Sequence, residues 1–158
     1  MSTINYEIRY SNHPEDARHY DTQRLRKEFL VEKLMVPGEI NLVYSMNDRY
    51  IVGGAVPVPR LELSTIEPLK SDYFCDRREL GMINVGGDAN IQVDGKSYVL
   101  AHKDALYVGA GSKEIVLISR DEKHPARLYF NSAPAHRAFP VRRVTLADAE
   151  VANLGSLE

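Results

Sequence analysis

One thiol and two carboxylates stand out as a set that could hold a metal: Cys75, Glu79 four residues on, and Glu114 directly after Gly109-Ala110-Gly111-Ser112-Lys113. Metal binding needs several ligands of suitable softness converging on one point, and neutral imidazole is the usual contributor. No histidine stands beside these three residues. A site made of Cys75, Glu79 and Glu114 is one reading of the set; the other packs Cys75 as a small apolar residue in a β-rich run. Arg77, Arg78 and Glu79 offer different chemistry. On a strand, Arg77 and Glu79 point one way and Arg78 the other. An inward guanidinium suits a substrate carboxylate by bidentate pairing, which makes Arg78 a candidate substrate-binding residue. Against this stands a partly buried ion-pair network or a subunit contact. His102, two residues before Asp104, is the second candidate, as a base or a carboxylate ligand. The plainer alternative is a histidine at a strand end bonded to backbone or to Asp104.

Other motifs carry less. Gly86-Gly87 and Gly109-Ala110-Gly111 are followed by neither a helix onset nor the lysine of a phosphate loop, so turns with positive φ are expected there. His136, near Arg137, falls on an expected surface loop.

These residues must be held by short β-rich runs. From Ile40 onward INLVYSM, IVGGAVPV, YFCDRRELGMINV, NIQVDG, KSYVLA, ALYVGA, EIVLIS, ARLYFN and PVRRVT alternate with Gly, Asn, Asp and Pro, which predicts an antiparallel sandwich or barrel. Asp94-Gly95 is the clearest hairpin turn. Ile4, Tyr6, Ile8 and Tyr10 alternate as an edge strand would. A short helix can start after Pro14, and Asp21 or Thr22 caps the one well-marked helix, QRLRKEFLVEKLM, which Val36, Pro37 and Gly38 break. A single helical turn is expected after Thr145.

Composition bounds the rest. With 158 residues there is room for one domain with a real core. A formal net charge of -2 gives no global basic field, and Arg137, Arg142 and Arg143 are too sparse for a nucleic-acid site. One cysteine excludes an internal disulfide and agrees with a reducing compartment, the cytoplasm by default. No apolar run reaches membrane-span length, and MSTINYEIRY lacks the marks of a secretory signal.

Glu79, six residues and Gly86 match the second half of the first cupin motif. Its two histidine positions fall on Tyr73 and Cys75, or in the longer register on Asp72 and Phe74, and the second motif's histidine falls on Glu114. The pattern therefore resembles a cupin-like antiparallel β-barrel or jelly roll, mainly β with one short N-terminal helix, whose metal positions are vacant. At DTQRLRKEFLVEK, DRYIVGG, RRELGMINVGG, HKDALYVGAGSKE and YFNSAPAH the chain resembles the 5-keto-4-deoxyuronate isomerases, also named 4-deoxy-L-threo-5-hexosulose-uronate ketol-isomerases.

That resemblance implies two tandem barrels, zinc in the C-terminal one, a homo-oligomer, and conversion of 5-keto-4-deoxyuronate to 3-deoxy-D-glycero-2,5-hexodiulosonate during breakdown of pectin and other sources of unsaturated uronates. It implies an arm and helix over 1–38, a barrel over 39–145, and over 146–158 the start of a connection, NLGSLE included, to a C-terminal domain. The zinc motif of the family has no counterpart in this chain, so no metal ligand and no catalytic residue is assigned here, and the chain alone is expected to be inactive. The alternative is a metal-free module that binds a sugar acid or serves oligomerisation.

Overall fold

Alternating burial along the strands builds two facing sheets. The computed structural model describes residues 3–152, 154 and 155. Its strands are β1 (Thr3–Arg9), β2 (Glu39–Ser45), β3 (Ile51–Ala55), β4 (Arg60–Glu62), β5 (Arg78–Asn84), β6 (Ala89–Val93), β7 (Lys96–Leu100), β8 (Ala105–Val108), β9 (Ile115–Ser119), β10 (Leu128–Pro134) and β11 (Arg142–Val144). Two short helices, α1 (Pro14–Ala17) and α2 (Thr22–Phe29), lie between β1 and β2.

The larger sheet has the order β1-β2-β3-β10-β5-β8-β11 and the smaller β4-β9-β6-β7. From β3 onward the chain shuttles between them, as a jelly roll does, so neighbours in a sheet are distant in sequence. The fold is thus mostly β and cupin-like, as the run pattern predicts. Among the described residues every pairing of named strands but one is antiparallel; β1 lies parallel to β2 as the outermost strand of its sheet, and an isolated parallel bridge joins Pro37 to Val56. Asp94 and Gly95 take φ of 48° and 79°. That pair of positive values is what a two-residue hairpin favours.

The core lies between the sheets. Leu80 and Met82 of β5, Leu128 and Phe130 of β10, and Leu106 and Val108 of β8 face Ile91 of β6, Leu100 of β7 and Leu117 of β9, each essentially inaccessible to water. Burying each large side chain contributes about 1.5–3 kcal/mol.

Several expectations need correcting. The helix predicted through residue 35 ends at Phe29, because Leu34 and Met35 lie against the backbone of Gly54, closer than any Cβ there would allow. α2 buries no residue. Residues 73–77 form a loop rather than the start of β5, and the Cys75 carbonyl accepts a backbone hydrogen bond from Gly111 there (2.8 Å). The three-residue β4 was too short to mark itself in the sequence. Gly86, Gly87 and Gly109 do not have positive φ; of the glycines in Gly86-Gly87 and Gly109-Ala110-Gly111 only Gly111 does, at 95°. The first three are glycines because backbone crosses them closely.

The expected turn after Thr145 is a single 3-10 turn, Leu146–Asp148, with the Asp148 carboxylate accepting from the Thr145 N–H (2.8 Å) and hydroxyl (2.7 Å). Of the NLGSLE segment, Asn153 and residues 156–158 lie outside the described residues.

Asp104 ties this tail to the sandwich. Its carboxylate accepts from Arg143 Nη2 (2.9 Å) and from the N–H groups of Ala101 (3.0 Å) and Leu146 (3.2 Å). Burial pushes its carboxyl up, but these donors outweigh burial and hold it below the usual value. A carboxylate whose folded pKa is depressed contributes stability above its unfolded pKa of about 3.9 and loses it as pH falls through the lower folded value. Asp104→Asn is therefore expected to lower the melting temperature at pH 7 and to flatten its decline below about pH 4. Thermal unfolding of both proteins across that range checks this, and an unaltered acid profile in the variant would rule it out.

Candidate functional site

Arg78 begins β5 facing inward, and its burial follows from the alternation of Arg78, Leu80, Met82 and Asn84. Only 5% of it is accessible. Its Nε donates to Ser132 Oγ (2.7 Å), and Nη2 donates to the carbonyls of Ser132 (3.0 Å) and Arg49 (2.9 Å). The Ser132 hydroxyl in turn donates to the Glu79 carbonyl, so its lone pair is turned toward the guanidinium. Among the described residues, Arg78 has no carboxylate within ion-pair distance and Nη1 donates to no group.

The guanidinium lines a cavity of about 370 Å³ at the end of the sandwich where β2 and β10 finish and β3 and β5 begin. Arg49, Lys70 and Arg77 also line it, and among the described residues no Asp or Glu does. Tyr44 and Phe74 form apolar walls, their ring centres 5.9 and 5.8 Å from the guanidinium carbon. Two of the four cations have acidic neighbours outside the lining: Lys70 pairs with Glu67, and Arg77 lies 3.8 Å from Asp76. Burial, and after it the charge of Arg49, lowers the Arg78 pKa from its usual value, while Tyr44 and Cys75 act against this. The site is thus electropositive and partly desolvated, within a chain whose net charge is -2.

A second cavity, about 580 Å³, lies between β1, α2 and β2. Its two carboxylates are both engaged, Glu7 by Arg9 and Glu32 by Arg26, and Lys27 and Lys33 also line it.

The other candidate residues lie elsewhere. His102 is exposed between β7 and β8, its Nδ1 3.3 Å from the Gly86 carbonyl. That is beyond the far end of β5, roughly 20 Å of strand from Arg78. Glu79 points to the outer face, where its carboxylate accepts from the Tyr107 hydroxyl (2.7 Å). Burial, followed by the Glu79 bond and charge, pushes the Tyr107 phenol up to about 12. Cys75 is fully buried, and burial pushes its thiol up to about 12 despite Arg78. It is therefore packing, not a thiolate. Glu114 is exposed beside the Asp94-Gly95 hairpin, where its N–H and that of Lys113 donate to Asp94 Oδ1 (2.9 Å each). His136 follows β10 directly, outside the barrel strands.

The residues present do not fit zinc. Among the described residues, no three His, Cys, Asp or Glu gather where a metal could sit, so Cys75, Glu79 and Glu114 do not form one site. No described helix is long and apolar enough to cross a membrane.

Ser132 and Arg49 were not singled out from the sequence. Ser132 was findable: it breaks the apolar inward series Leu128, Phe130 of β10 with a polar group, a buried position that requires a partner. Arg49 contributes its backbone carbonyl from a left-handed turn position, φ 53°, which no side-chain pattern announces.

Residues 29–158 match the KduI/IolB family. A protein of Bacteroides fragilis named 4-deoxy-L-threo-5-hexosulose-uronate ketol-isomerase is 53% identical over 155 residues, 98% of this chain and 55% of that protein. One of the same name from Formosa agariphila is 54% identical over 159 residues, 100% of this chain and 56% of its own length. The chain thus spans about half the length of the curated relatives it matches. A crystal structure of a cupin protein from Bacteroides fragilis aligns with 66% of this chain and 77% of its own, at 15% identity and a TM-score of 0.39.

Proposed function

The chain belongs to the KduI/IolB family, and from that premise we propose that it forms the N-terminal, metal-free barrel of a ketol-isomerase. The enzyme acts on 5-keto-4-deoxyuronate, giving 3-deoxy-D-glycero-2,5-hexodiulosonate in the breakdown of unsaturated uronates such as those from pectin, in the cytoplasm and as a homo-oligomer. The observation that carries this reading is the 53% identity to a named ketol-isomerase over 98% of this chain but 55% of that relative.

Aldose–ketose isomerisation moves a proton between adjacent carbons through an enediol, so it needs a base near neutrality and an electrophile that stabilises the enediolate. Among the described residues, the cavity around Arg78 has neither a histidine nor a carboxylate in its lining to serve as that base. What its residues supply is positive charge for binding an anion. Zinc and proton transfer therefore belong, on this reading, to a second barrel supplied by other residues.

The test joins this chain to the C-terminal half of the Bacteroides fragilis relative and assays both forms with zinc. The 158-residue chain is expected to give no turnover and the joined protein to isomerise the uronate. Turnover by the chain alone would overturn the division of labour.

A further inference from the structure

We propose that the cavity around Arg78 is a binding site for a small sugar carboxylate, separate from the centre where isomerisation occurs. Three observations converge on it. A buried guanidinium has one nitrogen, Nη1, without a protein partner among the described residues, while its other donors are fixed by Ser132 and Arg49. A guanidinium held this rigidly presents the two N–H groups of Nη1 in an orientation already set, so little further freedom is lost when a carboxylate docks there. Arg49, exposed on the β2–β3 turn, lines the same space and has no ion-pair partner among the described residues. Among the described residues no acidic side chain lines the cavity to compete for the two cations.

Size distinguishes among anions. Tyr44 and Phe74 flank the guanidinium but are only 5% and 1% accessible, so their rings back the cation rather than present surface to a ligand. The cavity's volume, about 370 Å³, exceeds what a lone oxyanion fills. It lies in the range of small-molecule pockets. The ligand's class, a uronate, rests on the functional reading above, whereas the pocket and its charge do not.

Arg78 also holds β5, β10 and the β2–β3 turn together, so replacing it tests folding as well as binding. Arg49→Gln is the cleaner variant, because the contact Arg49 makes with Arg78 is through its backbone carbonyl. The experiment titrates the chain with D-galacturonate, D-galactose and inorganic phosphate, following binding by calorimetry and by amide chemical shifts. Saturable galacturonate binding is expected in the millimolar range or tighter. Shifts should centre on Tyr44, Phe74 and Arg78, with none from neutral galactose. Arg49→Gln should weaken binding about threefold to tenfold, and Arg78→Lys, where it folds, by more.

Absence of saturable galacturonate binding would overturn the proposal, as would binding that Arg49→Gln leaves unchanged. Phosphate binding as tightly as galacturonate would overturn the sugar-carboxylate assignment in favour of a general oxyanion site. Because these measurements use binding to this chain alone, they fail or succeed independently of turnover by the joined protein.

Discussion

Asn84→Leu is expected to lower stability by about 4 kcal/mol, a fall in melting temperature of roughly 8–16 °C for a chain of this size. Asn84 is fully buried at the end of β5 and ties it to the end of β7, a strand of the other sheet with which β5 does not pair. Its Nδ2 donates to the carbonyls of Gly87 (2.8 Å) and Leu100 (3.1 Å), with Ala101 (3.3 Å) sharing a hydrogen. An amide has only two hydrogens to give. Its Oδ1 accepts from the N–H of Gly86 (3.1 Å) and, at longer range, Arg127 (3.4 Å). Leucine fills the same space and leaves these backbone groups without their side-chain partner, several of them away from water. Asn84→Asp separates the donor contribution from the acceptor one. It preserves the acceptor but turns a carboxylate toward three carbonyl oxygens, so it should be no more stable than Asn84→Leu at pH 7. An aspartate variant melting near the parent temperature would show that the donor side of the hub contributes little.

Asn84 also marks the limit of what a sequence reveals about this fold. The β-rich runs were legible because alternation and turn residues are local signals, and they gave β2, β3, β6 to β10 and the Asp94-Gly95 hairpin with small errors at their ends. Local signals do not state which runs become neighbours. In a jelly roll β5 pairs with β10 and β8, partners far along the chain, so contacts between loops at a sandwich end are set by topology. Arg78 was legible as an inward residue from alternation alone. Its surroundings were not, because Arg49, Phe74 and Ser132 come from three separate stretches brought to one end of the sandwich. The cupin-motif register places Glu79, on the opposite face of β5, at a metal-ligand position. Alternation from the buried Leu80 and Met82 places Glu79 outside and Arg78 inside, so the physical pattern was the safer guide.

Gly109→Ala should be the second most damaging change, costing about 3 kcal/mol, for a reason unrelated to backbone conformation. A Cβ on Gly109 would lie 1.9 Å from the carbonyl oxygen of Phe139, and that atom is main chain, so no rotamer change relieves the overlap. The segment around Phe139 crosses directly over the end of β8 on its way to β11, which pairs back onto β8 through Arg142, Arg143 and Val144. Displacing the crossing therefore strains the docking of β11 and the Arg143–Asp104 pair behind it. Gly95→Ala is the informative comparison. Gly95 has positive φ, 79°, and no atom within 4 Å of where a Cβ would stand. Alanine there meets conformational strain alone, worth about 1 kcal/mol. Measured together by denaturant unfolding, Gly109→Ala should be the worse of the two by about 2 kcal/mol. It alone should speed amide exchange along β11. Equal losses, or exchange confined to the 94–95 turn, would mean that the crossing segment yields freely and that close approach is not what requires glycine at position 109.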